Sequence, residues 1–239
     1  MANNQNIPFL FIHGAGGSST KWRNVPPFLN EDSATFLDLP GHGQNRSICA
    51  STIEEFASVL SKDIQDDVIV VGHSMGGLIG LELAAINENV KGLILVCSHY
   101  EMPVHPSLLE KLSEGIFPLN FFHASYAKNV DEELLREEME ELELLSLRTA
   151  YSDFECCNKY KNGKEVLNQL NIPILAIYGS EDRLISKDAR EKLLHEKHNA
   201  YTTTIEGSGH YAALEKAQLF TQQIVNFREK LQYNYQNTK

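Results

Sequence analysis

Val68-Ile69-Val70-Val71-Gly72-His73-Ser74-Met75-Gly76-Gly77 is the stretch on which the reading of this chain turns. Its first four residues are apolar and β-branched, as in a strand buried on both faces of a sheet. Ser74 follows, with glycine two places before it and two places after, and a helical stretch at 77–86 comes next. A serine so flanked, between a strand and a helix, is the pattern of a nucleophile elbow. The shoulders of that turn leave no room for side chains, and the serine oxygen is pushed out above the sheet. The expected chemistry is bond breaking by nucleophilic attack.

Working outward, segments 7–12, 34–39, 92–96, 172–178 and 201–205 are also short and rich in apolar or β-branched residues. Most are continuous rather than alternating, as buried parallel strands are. Helical stretches at 52–63, 77–86, 187–196 and 217–231 lie between or after them. Strands alternating with helices predict an α/β fold, a doubly wound, mostly parallel sheet of about six strands. No strand is convincing between 100 and 164. That block carries Phe117, Phe121, Phe122 and Tyr126, then an acidic helical run at 131–147. The run reads as a solvated helix with Leu134, Leu135, Met139 and Leu142 inward, inside a helical insertion at the carboxyl edge of the sheet.

Bulk properties exclude several roles. The 239 residues are 42% hydrophobic and 22% charged, with a formal net charge of −11. An acidic surface repels nucleic acid and anionic membrane, so neither is an expected partner. The N-terminal residues 1–6 lack the basic and apolar regions of a leader, and no apolar run reaches the length of a membrane helix. Cys49, Cys97, Cys156 and Cys157 have no metal-ligand spacing. A reduced, cytoplasmic setting is the simplest expectation.

A serine nucleophile needs a base, and the base needs an orienting acid. After the segment 173–178 comes Gly179-Ser180-Glu181-Asp182, and after 201–205 comes Glu206-Gly207-Ser208-Gly209-His210. Both loops fall at carboxyl ends of strands, where ligand sites of open α/β sheets lie. Asp182 is the expected acid, with Glu181 as its neighbour and competitor, and His210 the base. His195 and His198 read as surface residues, His105 and His123 fall in the insertion, and His73 should point away from Ser74. A tetrahedral intermediate needs two backbone donors. By position these are the N–H of Met75 and, in the loop His13-Gly14-Ala15-Gly16-Gly17, the N–H of Ala15, with Gly16 as the fallback.

Together these residues resemble those of α/β-hydrolase-fold proteins of the small, lid-bearing bacterial serine esterase type. The resemblance is carried by His13-Gly14, Asp38-Leu39-Pro40-Gly41-His42-Gly43, Gly72 to Gly77, Pro173 to Asp182, and Gly209-His210. It spans almost the whole chain. It implies a core of residues 1–98 and 166–239, without the family's N-terminal hairpin, and a helical lid of 99–165 over Ser74.

The expected function is hydrolysis of carboxylic esters of small or medium acyl substrates through an acyl-enzyme on Ser74. The same triad would serve a thioesterase, a lactonase or a carbon–carbon bond hydrolase. The lyases of menaquinone biosynthesis carry arginine where this chain has Leu78, which weakens that option. A low-turnover small-molecule receptor is the rival from another class. No metal or organic cofactor is required, the partner is a small-molecule ester, and the oligomeric state is not legible. Gly14, Gly16, Phe117, Phe121, Phe122 and Tyr126 are candidate substrate contacts, with Trp22 expected near the mouth. The acidic insertion is expected to disfavour strongly anionic substrates.

Overall fold

The computed structural model describes residues 6–29, 33–45, 47 and 50–237. Residues 1–5, read above for a leader, and Cys49 lie outside the described residues. Six strands form one parallel sheet: β1 (Phe9–Ile12), β2 (Ala34–Leu37), β3 (Val68–His73), β4 (Val90–Val96), β5 (Ile174–Gly179) and β6 (Tyr201–Ile205), in the order β2-β1-β3-β4-β5-β6. The order reverses at β1, whose neighbours are β2 on one side and β3 on the other. The loops leaving β1 and β3 therefore part at a topological switch point, where open α/β sheets hold ligands.

Helices cover both faces, and this is why the strands read as continuous apolar runs. On one face α1 (Ile53–Ser61), α2 (Met75–Ile86), α7 (Gly163–Gln169) and α8 (Ala189–Glu196) pack on Leu10, Ile12, Val70, Leu93, Leu95 and Ala176. On the other, α9 (Ala212–Glu215) and α10 (Ala217–Asn237) set Phe220, Ile224, Phe227 and Leu231 against Phe9, Phe11, Ile69, Val71, Ile94 and Ile177. Alternate residues of each strand serve opposite faces, so the central strands are almost wholly apolar, while the edge strands β2 and β6 carry threonines. β3 runs two residues beyond the expected 68–71, because Gly72 and His73 still pair with Leu95 and Val96 of β4. α1 starts where Thr52 accepts the Glu55 N–H at 3.1 Å, a side-chain N-cap.

Between β4 and β5 the chain forms α3 (Pro106–Ser113), α4 (Leu119–Ala124), α5 (Glu132–Glu143), α6 (Leu147–Lys159) and α7, with no strand among the described residues. The acidic run is a helix with an exposed acidic face, as read, and one residue departs from that reading. Leu134 is buried, but Leu135, Met139 and Leu142 are only half covered. The deeply buried residue of α5 is Glu138, 1% exposed. Its carboxylate accepts from Arg23 Nη1 (2.7 Å), from the Tyr126 hydroxyl (2.6 Å) and from Lys21 Nζ. A carboxylate can be buried there because it is paired and hydrogen-bonded on both oxygens. Burial pushes its pKa up, but Lys21, Tyr126 and Arg23 outweigh that and hold it below the usual range.

Candidate active site

The elbow follows from backbone crowding. A Cβ on Gly72 would sit 2.2 Å from Gly76 O, one on Gly76 2.3 Å from Ile12 O, and one on Gly77 2.2 Å from Ser98 Oγ. Only glycine lets the first turn of α2 come down on β1 and β3 this closely. Ser74 itself takes φ 52°, ψ −118°, a strained conformation for a residue with a side chain. Three hydrogen bonds hold it there. Its N–H donates to Val96 O (3.0 Å), and its carbonyl accepts from Ser98 Oγ (2.7 Å) and Gly77 N–H (2.9 Å).

Asp182 and His210 meet at the carboxyl ends of β5 and β6. His210 Nδ1 lies 2.9 Å from Asp182 Oδ2. A carboxylate accepts, so Nδ1–H donates and Nε2 keeps its lone pair. The other oxygen of Asp182 accepts from Leu184 N–H (2.8 Å) and Ile185 N–H (3.3 Å). Burial raises the Asp182 pKa, but His210 and those amides outweigh it and hold the carboxyl below its usual range. Glu181, the competing acid, points elsewhere: its carboxylate accepts from Lys128 N–H at 2.9 Å.

The backbone of His210 is fixed from two sides. Its N–H donates to Ser125 O of the inserted helices (2.8 Å), and its carbonyl accepts from His73 Nε2 (3.0 Å). His73, expected to point away from the serine, thus supports the His210 backbone from behind. Burial pushes His73 down to about 3, so it is neutral at ordinary pH. His13 is the same kind of group. Its Nδ1–H donates to Gly14 O (2.8 Å), its Nε2 accepts from Leu39 N–H (3.1 Å), and burial takes it to about 3.

Gly14 O also accepts from Gly17 N–H at 3.1 Å. In a trans peptide the C=O and the following N–H point opposite ways. With the Gly14 carbonyl turned in to these donors, the Ala15 N–H points out. The fallback donor is committed, since Gly16 N–H donates to Asp153 Oδ2 at 2.7 Å. Met75 is the first residue of α2, so its N–H has no acceptor within the helix.

Ser74, His210, Gly14 and Ala15 line one cavity of about 900 Å³. Phe121 lines it too. Trp22, Phe117, Phe122, Tyr126 and Gly16 do not, which corrects their reading as substrate contacts. Trp22 is not near the mouth; it is buried under the sheet between Phe11 (5.0 Å) and Phe220 (6.0 Å). Phe122 packs at a tilt against Tyr126, Tyr126 stacks on Tyr211 and binds Glu138, and Phe117 packs on Phe121. Gly16 faces Leu145 and Ala150. The apolar lining includes Met102, Val104, Leu108, Phe154, Leu184 and Ile185, none named from the sequence. Leu184 and Ile185 follow Asp182 in the same strand-end loop, and that placement was the available signal.

The mouth also corrects the expectation drawn from the acidic insertion. Lys111, Arg183, Lys187 and Lys192 line the cavity, with Glu101 as the carboxylate among them. None of the acids of α5 lines it. Among the described residues, Cys97, Asp182 and His210 are the group whose donor atoms lie close enough to suggest a metal, within 4.8 Å of one another. Asp182 and His210 spend those atoms on each other, and burial keeps the Cys97 thiol protonated. No helix among the described residues is long and apolar enough to cross a membrane.

Comparison with known proteins gives consistent matches. The profile of the alpha/beta hydrolase family matches residues 9–223. A pimeloyl-[acyl-carrier protein] methyl ester esterase of Yersinia enterocolitica is 26% identical over 250 positions, covering 92% of this chain and 93% of the relative. An esterase from Exiguobacterium antarcticum superposes with a TM-score of 0.82 at 19% identity, over 94% of this chain and 92% of the other. A lipase-esterase related protein from Clostridium acetobutylicum gives 0.81 at 21% identity, over 93% and 98%.

Proposed function

The chain belongs to the alpha/beta hydrolase family, and from that premise we propose that it is a serine esterase acting on carboxylic esters of small or medium acyl chains. The observation that carries this is the His210–Asp182 hydrogen bond of 2.9 Å, with His210 and Ser74 lining one cavity. Ser74 Oγ attacks the ester carbonyl while His210 Nε2 takes its proton. Asp182 holds the Nδ1–H tautomer and stabilises the imidazolium that forms. The Met75 and Ala15 N–H groups receive the oxyanion. His210 then gives its proton to the leaving alcohol, and the same base activates the water that releases the acyl group. Helices α3 to α6 act as the lid, and the apolar wall that includes Phe121 and Phe154 receives the acyl chain.

A fluorophosphonate probe is expected to label Ser74. Ser74→Ala is expected to abolish labelling and lower kcat on p-nitrophenyl butyrate by about four orders of magnitude or more. Persistent hydrolysis by that variant would sink the reading. A second reading is favoured by the basic mouth, Lys111, Lys187 and Lys192. There the ester is presented on an anionic carrier that the lysines attract; the Yersinia relative is named for an ester on an acyl-carrier protein. A KM that rises with salt for carrier-borne esters, but not for p-nitrophenyl esters, would separate the two.

A further inference from the structure

Three elements converge on one buried carboxylate beside the loop of Ala15. Asp153, 0% exposed, stands on the inward face of α6 with Ala150, Cys156 and Cys157. Its Oδ2 accepts from Gly16 N–H at 2.7 Å and lies 2.8 Å from His42 Nε2. Its Oδ1 has no hydrogen-bond partner. His42 Nδ1 lies 3.0 Å from Pro40 O. A carbonyl only accepts, so Nδ1 carries a proton, and Nε2 facing a carboxylate carries one too. His42 is therefore an imidazolium. Burial opposes that charge, but the hydrogen bond to Asp153 and its negative charge outweigh it, and the His42 pKa lies above the ordinary value.

We propose that His42 and Asp153 are a positioning pair for the oxyanion loop. The imidazolium holds the carboxylate, the carboxylate clamps the Gly16 amide, and the clamp fixes the loop one peptide beyond the Ala15 N–H. Neither side chain lines the cavity. The inserted helices thereby complete the catalytic loop as well as cover it. The inference rests on the esterase reading, in which Ala15 binds the oxyanion.

Other ionisable groups around His42 do not change state at alkaline pH. Burial raises the Asp38 pKa, but the N–H groups of Gln44 (2.8 Å) and Ser19 (2.6 Å) outweigh it and keep the carboxyl below its usual range. His13, with its ring 5.0 Å from that of His42, is neutral through burial. Burial pushes the Cys157 thiol on α6 well up. Phe56, the remaining ring neighbour, does not titrate.

The test is hydrolysis of p-nitrophenyl butyrate from about pH 6 to about pH 10 by the full chain, Asp153→Ala and Asp153→Asn, with fluorophosphonate labelling and Ser74→Ala as the reference. Asp153→Ala frees the loop, and kcat at neutral pH is expected to fall roughly 10- to 100-fold with KM changed by less than about twofold. Asp153→Asn, with its amide oxygen in the place of Oδ2, can still accept from both Gly16 N–H and His42 Nε2–H, but it no longer supplies the negative charge that keeps His42 protonated. It is expected to restore kcat to within about threefold and to lack the fall at alkaline pH that His42 deprotonation produces in the parent. Parent-like kcat in Asp153→Ala, or the parent's alkaline fall persisting in Asp153→Asn, would overturn the proposal. If Asp153→Ala does not fold, the parent and Asp153→Asn profiles decide alone. Hydrolysis by Ser74→Ala would instead overturn the esterase reading, whatever the Asp153 variants do.

Discussion

At the elbow, a Cβ on Gly76 would lie 2.3 Å from Ile12 O and 2.7 Å from His13 O, both backbone atoms. At the loop after β1, a Cβ on Gly16 would meet Leu145 Cδ1 at 3.0 Å and the Cβ of Ala150 at 3.4 Å, both side-chain atoms. The two turns flank the same cavity and both depend on glycine. The first is hemmed in by backbone, that of its own helix and of the neighbouring strand β1. The second is shaped by side chains far away in sequence, chiefly Asp153 from the insertion. A turn packed against the backbone of a buried strand is stiff, whereas a turn clamped by a remote side chain is only as fixed as that contact.

Gly76→Ala tests the stiff turn and should have the largest effect on folding. Backbone on both sides cannot yield, so urea unfolding should show a loss of roughly 4 kcal/mol or more, or no folded protein. A variant as stable as the parent would end the comparison.

Acid sharpens it, because a buried neutral histidine sits beneath each turn: His73 at the elbow and His13 at the loop. Both have folded pKa values near 3. Between about 6.5 and about 3 the unfolded chain binds more protons than the folded one. Stability should therefore fall as pH drops through that window, by about 1.4 kcal/mol per unit for each histidine, and level off below it. His99, also lowered by burial, adds in the same direction. Urea midpoints that stay flat from about pH 7 to about pH 5 would contradict this assignment.

Gly16→Ala should have the smallest effect. Its φ is 66°, so the strain is real, but the nearest opposing atom, Leu145 Cδ1, ends a side chain that can shift, and Ala150 Cβ is at ordinary contact distance. A loss of about 1 to 2 kcal/mol is expected, with labelling of Ser74 slowed because the loop moves. A loss equal to that of Gly76→Ala would show that both turns are equally rigid.

Legibility in the sequence follows the same division. Ser74, Asp182 and His210 each stand at a strand end, and a strand's apolar run and its closing glycines are local signals. The choice of Asp182 over Glu181 was not local; it depends on which carboxylate His210 reaches and which one Lys128 N–H claims. Trp22 read as a mouth residue because large aromatics suit both a pocket and a core, and only the packing of Phe11 and Phe220 separates them. Glu138 lies in the run 131–147 that reads as a solvated helix, and nothing near it in sequence reveals that Lys21, Arg23 and Tyr126 converge on it. Asp153 carried a faint signal: it lies three residues from Ala150 and from Cys156, on the buried face of one helix.

By itself, then, the sequence determined the parallel sheet, the elbow and the order of the groups at the strand ends, because hydrophobic period and glycine placement act over a few residues. The tertiary structure alone decided which amide of the loop after β1 is free, which aromatics face the cavity, and that a mouth built from an acidic chain is lined with lysines. Those outcomes depend on hydrogen bonds and packing between segments more than a hundred residues apart, Gly16 with Asp153 and His73 with His210 among them. Contacts of that kind are set by the closure of the whole fold and leave no periodic trace along the chain.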